Sequence, residues 1–256
     1  MQELLGCREL DVAIGSIQLI AGLDLEVHPG ELVCVIGCNG AGKTTLLHTL
    51  AGLRSATGIT LLGQPLDSLS RRSVASKIAL LTQQQEDAFP ATAQQAVLLG
   101  RNPHLGFFEW ESRDDIAVAA DALQRVDMTG FGDRELHTLS GGERQRIALA
   151  ATLAQQPLLY LLDEPLNNLD PQHQLGALRC FSQLCAQGKA VLASLHDLNL
   201  VAQFADRVVL LFGPQRNGAW MSGTVEECMT AQNLSDLYGT PIERVANANR
   251  SLFVHA

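Results

Sequence analysis

The sequence predicts an α/β fold in which helices cover a mostly parallel sheet on both sides. Two apolar runs, at residues 31–36 and 158–162, have the length and composition of strands that are buried on both faces. Similar runs alternate with helical patterns in the second half of the chain, where we expect helices at 171–187 and 197–204 and a strand at 207–212. With 256 residues, of which 46% are hydrophobic and 18% charged, the chain can bury the core that such a fold needs.

The remaining elements divide into a β-rich start and a helical middle. Residues 1–30 read as short alternating strands with turns at Gly15 and Gly22, which predicts an antiparallel β unit ahead of the main sheet. Between residues 86 and 153 β-branched clusters are few and helical patterns recur, so we expect a helical insertion into the α/β core. The other predicted segments are strands at 78–82 and 190–194 and helices at 43–53, 92–100 and 114–126.

A glycine-rich loop between the strand at 31–36 and the helix at 43–53 has the pattern G-x-x-x-x-G-K-[ST] of a phosphate loop. Glycines let the backbone curl so that successive N–H groups point at phosphates, and the start of the helix adds its positive end to the same site. Lys43 can reach the β- and γ-phosphates of a nucleotide, and the Thr44 hydroxyl can bind Mg²⁺. The loop consists of Gly37, Cys38, Asn39, Gly40, Ala41, Gly42, Lys43 and Thr44.

The pair Asp163-Glu164 ends the apolar run at 158–162 and is a second candidate element of the site. Ligands of open parallel sheets bind outside the carboxyl ends of the strands, so both carboxylates should face the nucleotide. Asp163 is suited to hold Mg²⁺ or its water, and Glu164 to orient and polarise the water that attacks the γ-phosphate. An apolar run ending in Asp-Glu is also common at the edge of an ordinary strand, but its combination with a phosphate loop favours the functional interpretation.

The Leu-Ser-Gly-Gly-Glu segment at 139–143 is the most discriminating one in the chain. It precedes a helix-periodic run, so Ser140 can cap a helix whose first N–H groups bind an anion. Two phosphate-binding elements on one chain are understandable if two copies face each other head to tail. Each nucleotide would then lie between the Lys43 loop of one copy and the Ser140 loop of the other; an ordinary helix cap is the simpler alternative.

Together these motifs resemble those of the nucleotide-binding subunits of ATP-binding cassette (ABC) transporters, and the resemblance spans nearly the whole chain. It implies a P-loop NTPase (RecA-like) core with an N-terminal antiparallel β subdomain and an inserted helical subdomain. Residues 1–256 would form a single nucleotide-binding domain, in which 1–85 and 154–256 make the α/β core with its β subdomain and 86–153 the helical subdomain.

The resemblance also implies roles for individual residues. The loop at 37–44 matches the family's Walker A motif, Asp163-Glu164 the end of Walker B, and the pair at 169–170 the dimer-contacting D-loop. His196 matches the switch histidine near the γ-phosphate, and Gln83 the glutamine that contacts Mg²⁺ and senses the membrane partner. The implied catalytic residues are Glu164, His196, Gln83 and Lys43, the implied Mg²⁺ ligands are Thr44, Gln83 and Asp163, and the implied ATP contacts are the 37–44 loop, Thr45, Ser140, Gly141, Gly142, Glu143 and Ile14.

Four softer signals resemble the importers of metal chelates, namely ferric siderophores, haem or cobalamin. They are the stretches at 89–92, 100–104 (Gly-Arg-Asn-Pro-His), 196–200 (His-Asp-Leu-Asn-Leu) and 233–239. The resemblance then implies an ATPase that dimerises on ATP and drives polytopic membrane permease subunits, to which an external substrate-binding protein delivers the cargo. The alternative is a soluble cassette ATPase that acts as an assembly scaffold, as in iron–sulfur cluster biogenesis.

Net charge and the lengths of the apolar runs limit which partners and which cellular location we expect for the chain. The formal net charge is −9, whereas nucleic-acid binders usually carry a clustered basic excess, so we expect no nucleic-acid partner. No apolar run reaches the eighteen or so residues of a membrane span, and the N-terminus lacks the layout of a signal peptide. We therefore expect a chain that acts peripherally at the cytoplasmic face of the inner (plasma) membrane, with its six scattered cysteines reduced.

Two positions depart from the family pattern. Related subunits usually stack an aromatic ring on adenine, whereas Ile14 stands in that region and no aromatic residue precedes Phe89. Ile14 can cover a base without offering a π-face, so we expect weak selectivity between ATP and GTP. Cys38 replaces the usual proline of the loop, either as a small neutral residue or as a reactive thiolate.

Phe107, Phe108 and Trp110 form an aromatic cluster within the predicted helical insertion. They are interpreted first as the core of a small helical subdomain. The alternative is an exposed aromatic groove that receives a cytoplasmic helix of a permease, since aromatic residues dominate the energetics of such interfaces.

Overall fold

A computed structural model describes residues 3–82, 90–106, 108–247 and 250–255, in which strands and helices alternate. No described helix combines the length and the apolar character that a membrane crossing needs. The strands are β1 (Leu5–Ile14), β2 (Ile17–Val27), β3 (Leu32–Ile36), β4 (Ile59–Leu61), β5 (Gln64–Pro65), β6 (Ile78–Leu81), β7 (Leu159–Leu162), β8 (Ala190–Ser194), β9 (Arg207–Gly213), β10 (Ala219–Thr224), β11 (Ile242–Asn247) and β12 (Arg250–His255). The helices are α1 (Lys43–Leu50), α2 (Arg71–Ala75), α3 (Ala93–Leu98), α4 (Arg113–Arg125), α5 (Gly141–Ala154), α6 (Pro171–Ala186), α7 (Leu198–Phe204), α8 (Val225–Cys228) and α9 (Ala231–Tyr238).

Six strands form the main sheet in the order β10-β9-β3-β8-β7-β6. Strands β9, β3, β8, β7 and β6 are parallel, and β10 is an antiparallel edge strand. A separate antiparallel sheet has the order β2-β1-β4-β5, and β11 pairs with β12 as a hairpin. The predicted α/β class is confirmed, and the carboxyl ends of β3, β8 and β7 lie side by side, where ligands of such sheets bind.

Core residues cover both faces of the main sheet, as the continuous apolar strand sequences predict. Val33 and Val35 of β3 pack with residues of β1, β2 and α1, whereas Cys34 and Ile36 pack into the core on the opposite face. Strand β7 divides its side chains between the two cores in the same alternating way. Burial of each large apolar side chain contributes about 1.5–3 kcal/mol, so the central strands fix the sheet firmly.

The N-terminal antiparallel sheet is present, but the turn predicted at Gly22 is wrong. β1 and β2 form one long hairpin around Gly15, and Gly22 lies inside β2 with a φ of +58°. The register of the two strands shifts between Leu10 and Val12, and the side chain of Asp11 accepts the Gly22 N–H at 2.9 Å. Glycine adopts this φ without strain, so it produces a bulge and the strand continues.

Helices α3, α4 and α5 pack together and are joined by a buried ion pair. The Arg101 guanidinium lies 2.9 Å from Asp115 on α4 and donates to the Ala154 carbonyl at the end of α5 at 2.7 Å. Gly100 allows this close approach, because a Cβ at that position would lie 2.1 Å from the Ala151 carbonyl oxygen. The Gly-Arg part of the 100–104 stretch therefore holds α5 against the other helices.

Phe108 and Trp110 do not belong to the core of this helical segment. Phe108 and Trp110 are 90% and 88% exposed, while Phe107 lies outside the described residues. The core interpretation is therefore wrong for Phe108 and Trp110. The buried apolar residues of this segment are instead Ala119, Ala122, Leu123, Met128, Ile147 and Leu149, among others.

We predict that Asp115→Asn lowers the free energy of unfolding by about 3 kcal/mol at pH 7, because it leaves the buried Arg101 charge without its partner. Hydrogen bonds from Ser112 and Arg101 lower the pKa of Asp115 from 3.8 to about 2. The contribution of the Asp115 carboxylate to the free energy of unfolding is therefore complete above about pH 4 and is lost as the pH falls towards 2. Urea titration of both proteins at pH 7 and near pH 3 measures the loss.

Asp121→Asn is the matched control, since Asp121 forms an exposed ion pair with Arg125 on the same helix. It should cost less than about 0.5 kcal/mol. Equal losses for the two variants would contradict a specific role for the buried pair.

Candidate active site

The loop at 37–44 follows β3, continues into the first turn of α1 and borders an open cavity of about 520 Å³. Gly40 and Gly42 adopt φ values of +81° and +104°, which only glycine reaches without strain. The backbone at Gly37 also approaches its neighbour closely, since a Cβ there would lie 2.5 Å from the Leu211 carbonyl oxygen. The cavity is lined by Ile14, Leu19, Asn39, Gly40, Gly42, Lys43, Thr44, Thr45, Glu164, Asn167 and His196.

Lys43 is buried, and its ammonium group is held by the loop itself. Its Nζ donates to the carbonyl oxygens of Gly37 at 2.8 Å and Cys38 at 3.2 Å. Burial lowers the pKa of Lys43 below its ordinary value, while the carboxylates of Glu164 and Asp163 oppose the shift. The loop therefore presents a cation beside curled backbone at the mouth of the cavity, which is the chemistry of an anion site.

Asp163 is fully buried beyond the end of β7, and two hydroxyl groups satisfy its carboxylate. Thr44 Oγ1 donates to Oδ2 at 2.6 Å, and Ser194 Oγ donates to Oδ1 at 2.7 Å. The predicted Mg²⁺ ligands Thr44 and Asp163 are thus in direct contact, and both offer the hard oxygen donors that Mg²⁺ prefers. Gln83, the third predicted ligand, lies outside the described residues.

Glu164 and His196 meet at the wall of the cavity. Nε2 of His196 lies 2.7 Å from Oε1 of Glu164, and Asn167 Nδ2 donates to Oε2 of the same carboxylate. Burial alone would raise the pKa of Glu164, but these two hydrogen bonds and the charges of His196 and Lys43 outweigh it and hold the pKa below its ordinary value. The carboxylate is therefore ionised at neutral pH and able to accept a proton or a hydrogen bond.

Two residues of this site were not singled out from the sequence. Ser194 is buried at the end of β8, where its Oγ donates to Asp163 and accepts the Glu164 N–H at 2.8 Å. Asn167 contacts Glu164 from the following turn and lines the cavity. A polar residue at the end of a buried strand beside β7 is the signal that could have indicated Ser194.

The Ser140 segment caps α5 but is not part of the cavity around the phosphate loop. Ser140 Oγ accepts the Glu143 N–H at 3.3 Å, and Glu143 Oε2 accepts the Ser140 N–H at 2.7 Å. The hydrogen bonds from Ser140 lower the pKa of Glu143. Gly142 is required by close packing, because a Cβ there would lie 2.7 Å from the Asn168 carbonyl oxygen. Within one chain the two predicted anion sites are therefore separate, as a head-to-tail arrangement requires.

The other predicted contacts flank the loop. Ile14 lines the cavity with half of its surface exposed, next to Leu19. Thr45 follows Thr44 on α1 and also lines the cavity. Cys38 is exposed, and its thiol donates to the Leu237 carbonyl at the end of α9 at 3.2 Å. Ala41 is buried and lies close to Gly213 at the end of β9, where a Cβ would come within 3.1 Å of the Ala41 Cα.

Comparison with known proteins agrees with this geometry. The family model described as ABC transporter matches residues 20–167, more than half of the chain. The chain belongs to the ABC transporter family. The hemin import ATP-binding protein HmuV of Deinococcus radiodurans is 43% identical over 208 residues, which cover 79% of this chain and 78% of that protein. ATP-binding proteins of this family are ATPases, so the chain is an ATP-binding ATPase subunit.

Solved structures of ABC proteins share the fold. A metal-chelate type ABC transporter in an inward-facing conformation superposes with a TM-score of 0.84 at 27% identity, covering 99% of this chain and 98% of that chain. The dimeric structure of the bacterial ABC transporter cassette MJ0796 gives a TM-score of 0.71 at 25% identity and covers 80% of this chain and 93% of that chain. The P-loop NTPase fold expected from the resemblance is thereby confirmed.

We predict that the subunit binds ATP and GTP with dissociation constants within about tenfold of each other, because Ile14 offers apolar cover but no π-face. Ile14→Tyr should tighten ATP binding by about fivefold, equivalent to the roughly 1 kcal/mol of aromatic stacking. Equilibrium binding of both nucleotides to the two proteins measures this. Ile116→Tyr, at an exposed position on α4, is the control. A strong preference of the unaltered protein for ATP would contradict the prediction.

Proposed function

We propose that the chain is the ATP-hydrolysing subunit of a metal-chelate importer, with hemin as the first candidate cargo. The observation that carries the ATPase mechanism is the position of the Glu164 carboxylate, which lies on the wall of the loop cavity between His196 and Asn167. The cargo class is supported by relatives that are named hemin import proteins and by the similar metal-chelate type transporter. These relatives do not favour the alternative of an assembly scaffold.

The side chains present suit in-line attack of water on the γ-phosphate. Loop N–H groups and Lys43 would bind the phosphates, and Glu164, aided by His196, would orient the water and polarise it. Thr44 and Asp163 would hold Mg²⁺ together with Gln83, and the ion would neutralise charge on the phosphate oxygens. Ser194 holds both Asp163 and the backbone of Glu164, so the metal-binding and water-orienting carboxylates keep a fixed relation.

A second copy of the chain would complete the site. The Ser140–Glu143 cap does not line the cavity of its own chain and forms the first turn of α5. In a head-to-tail dimer this turn of one copy would cover the nucleotide on the loop of the other, as its helix N-terminus favours negative charge. The dimeric cassette of similar fold supports such an assembly. One chain alone should therefore bind ATP but hydrolyse it slowly.

The membrane partner would be a polytopic permease that receives its cargo from an external binding protein, and this chain would bind the permease at the cytoplasmic face of the inner (plasma) membrane. Phe108 and Trp110 are large aromatic side chains at the surface of the helical segment, where a permease helix could bury them. The subunit would thus be a peripheral membrane protein that is bound to the permease. We propose no nucleic-acid partner for it. The domain boundaries at residues 85 and 154 remain part of this proposal.

Glu164→Gln should lower ATP turnover by about 100-fold or more while ATP binding is retained, because an amide cannot accept the proton of the attacking water. The nucleotide-bound variant should accumulate as a dimer, since hydrolysis no longer separates the copies. Steady-state ATPase assays, nucleotide binding and size-exclusion chromatography with MgATP measure these effects. Glu226→Gln, at an exposed position, is the control. Turnover of Glu164→Gln at the unaltered rate would remove Glu164 from its assigned role.

Trp110→Glu should abolish uptake by the complete transporter, whereas the ATPase rate and thermal stability of the isolated subunit stay unchanged. A charge at a position that is buried only in the complex would disrupt docking without touching the fold. Uptake of labelled hemin into proteoliposomes and co-purification of the permease measure the effect. Val254→Glu, at an exposed position on the C-terminal hairpin, is the control. Normal uptake by Trp110→Glu would exclude this surface from docking.

A further inference from the structure

The C-terminal hairpin of β11 and β12 is hydrogen-bonded to helix α7 through the side chain of Asn199, which pairs with the backbone of β12. The Asn199 amide donates to the Phe253 carbonyl at 3.3 Å, and its Oδ1 accepts the Phe253 N–H at 2.8 Å. The asparagine side-chain amide offers N–H donors and a carbonyl acceptor side by side, as a peptide group does, so Asn199 satisfies both backbone groups of one residue of β12. Asp or Ala at this position would lose one or both of these bonds.

Helix α7 begins at Leu198, two residues after His196, so the position of the helix constrains that of the histidine. Asp197 caps the helix by accepting the N–H groups of Asn199 and Leu200. Before His196, β8 ends at Ser194, which is hydrogen-bonded to Asp163. His196 thus lies in a three-residue connection that is fixed by Ser194 at one end and by the Asn199 contact at the other.

The hairpin also connects this region to the phosphate loop. Ile242 and Phe253 are buried in the main core, and the Ile242 N–H donates to Ser235 Oγ of α9 at 2.8 Å. At the end of the same helix, the Leu237 carbonyl accepts the Cys38 thiol of the loop. Helix α9 and the hairpin therefore touch both the loop that would bind the phosphates and the helix that follows His196.

We propose that Asn199 is a positioning residue, through which the C-terminal hairpin fixes His196 relative to the phosphate loop. The inference rests on the proposed role of His196 beside Glu164. It accounts for the Asn of the His-Asp-Leu-Asn-Leu stretch, which touches neither the cavity nor the carboxylates. The competing interpretation is that Asn199 only anchors the hairpin and stabilises the fold.

A double-mutant cycle distinguishes positioning from simple anchoring. The full-length variants are Asn199→Ala, His196→Ala and the double substitution, with Gln203→Ala on the exposed side of α7 as the matched control. Turnover of γ-labelled ATP gives kcat and KM even for slow variants, and thermal unfolding gives Tm. Asn199→Ala should lower kcat about 10- to 100-fold with KM changed less than about twofold, because small misplacements of a reacting group have effects of this size.

In the His196→Ala background, Asn199→Ala should change kcat by less than about twofold, since residues that act through one another are not additive. Equal reductions in both backgrounds would overturn the proposal and leave Asn199 a purely structural residue. If His196→Ala itself leaves kcat unchanged, the assigned role of His196 fails and this inference fails with it. If His196→Ala lowers kcat but Asn199→Ala does not, only the inference fails.

Asn199→Asp covers the case in which the alanine variant does not fold. It keeps the size of the side chain and the acceptor for the Phe253 N–H, and its charge suits the first turn of a helix. It loses the donor to the Phe253 carbonyl and should therefore lower kcat at least fivefold while Tm is maintained. An unchanged kcat for this variant would also overturn the proposal.

Discussion

The buried carboxylate of Asp163 is the constraint on which the site depends. A charge without exposed surface is costly unless hydrogen-bond donors surround it, and here the donors are Ser194 from the end of β8 and Thr44 from the start of α1. Because β8 lies between β3 and β7, the three groups meet only if these parallel strands end at the same level. Apolar packing alone would specify this register less sharply, since the polar contacts fail with a slip of one residue.

The backbone of Glu164, two residues after the end of β7, adopts a strained conformation that directs its carboxylate into the site. Its φ of +49° lies in the left-handed region, which costs a residue other than glycine about 1–2 kcal/mol. The Ser194 hydroxyl accepts its N–H and so supports the turn, after which Asn167 holds the carboxylate. The same serine therefore fixes the buried Asp163 and the more accessible Glu164, and strain is tolerated where it aims the carboxylate at His196.

Sequence patterns predicted the functional residues that follow the strands but not Ser194 and Asn167, whose hydrogen bonds hold those residues in place. The phosphate loop, Asp163-Glu164 and His196 each follow an apolar run, and the common edge of parallel strands brings them together. Ser194 and Asn167 carry no pattern of their own, because their importance depends on which strands are neighbours. Phe108 and Trp110 were misplaced since aromatic residues suit both a core and an interface. The bulge at Gly22 could not be told from a turn, because both need a positive φ.

The phosphate loop and the start of α5, the two proposed anion sites, differ in the partners that their donor groups already have within the chain. Lys43 is buried against carbonyl oxygens of its own loop, which are weaker partners than phosphate, and its lowered pKa records the cost of that burial. Nucleotide phosphates would replace these carbonyl oxygens with fully charged partners for Lys43. Most of the free energy of nucleotide binding should therefore come from the phosphate loop, for ATP and GTP alike. At the start of α5, Glu143 already occupies the Ser140 N–H and adds a negative charge to the same turn. In the proposed dimer the second site would therefore hold the nucleotide less tightly than the Lys43 loop does.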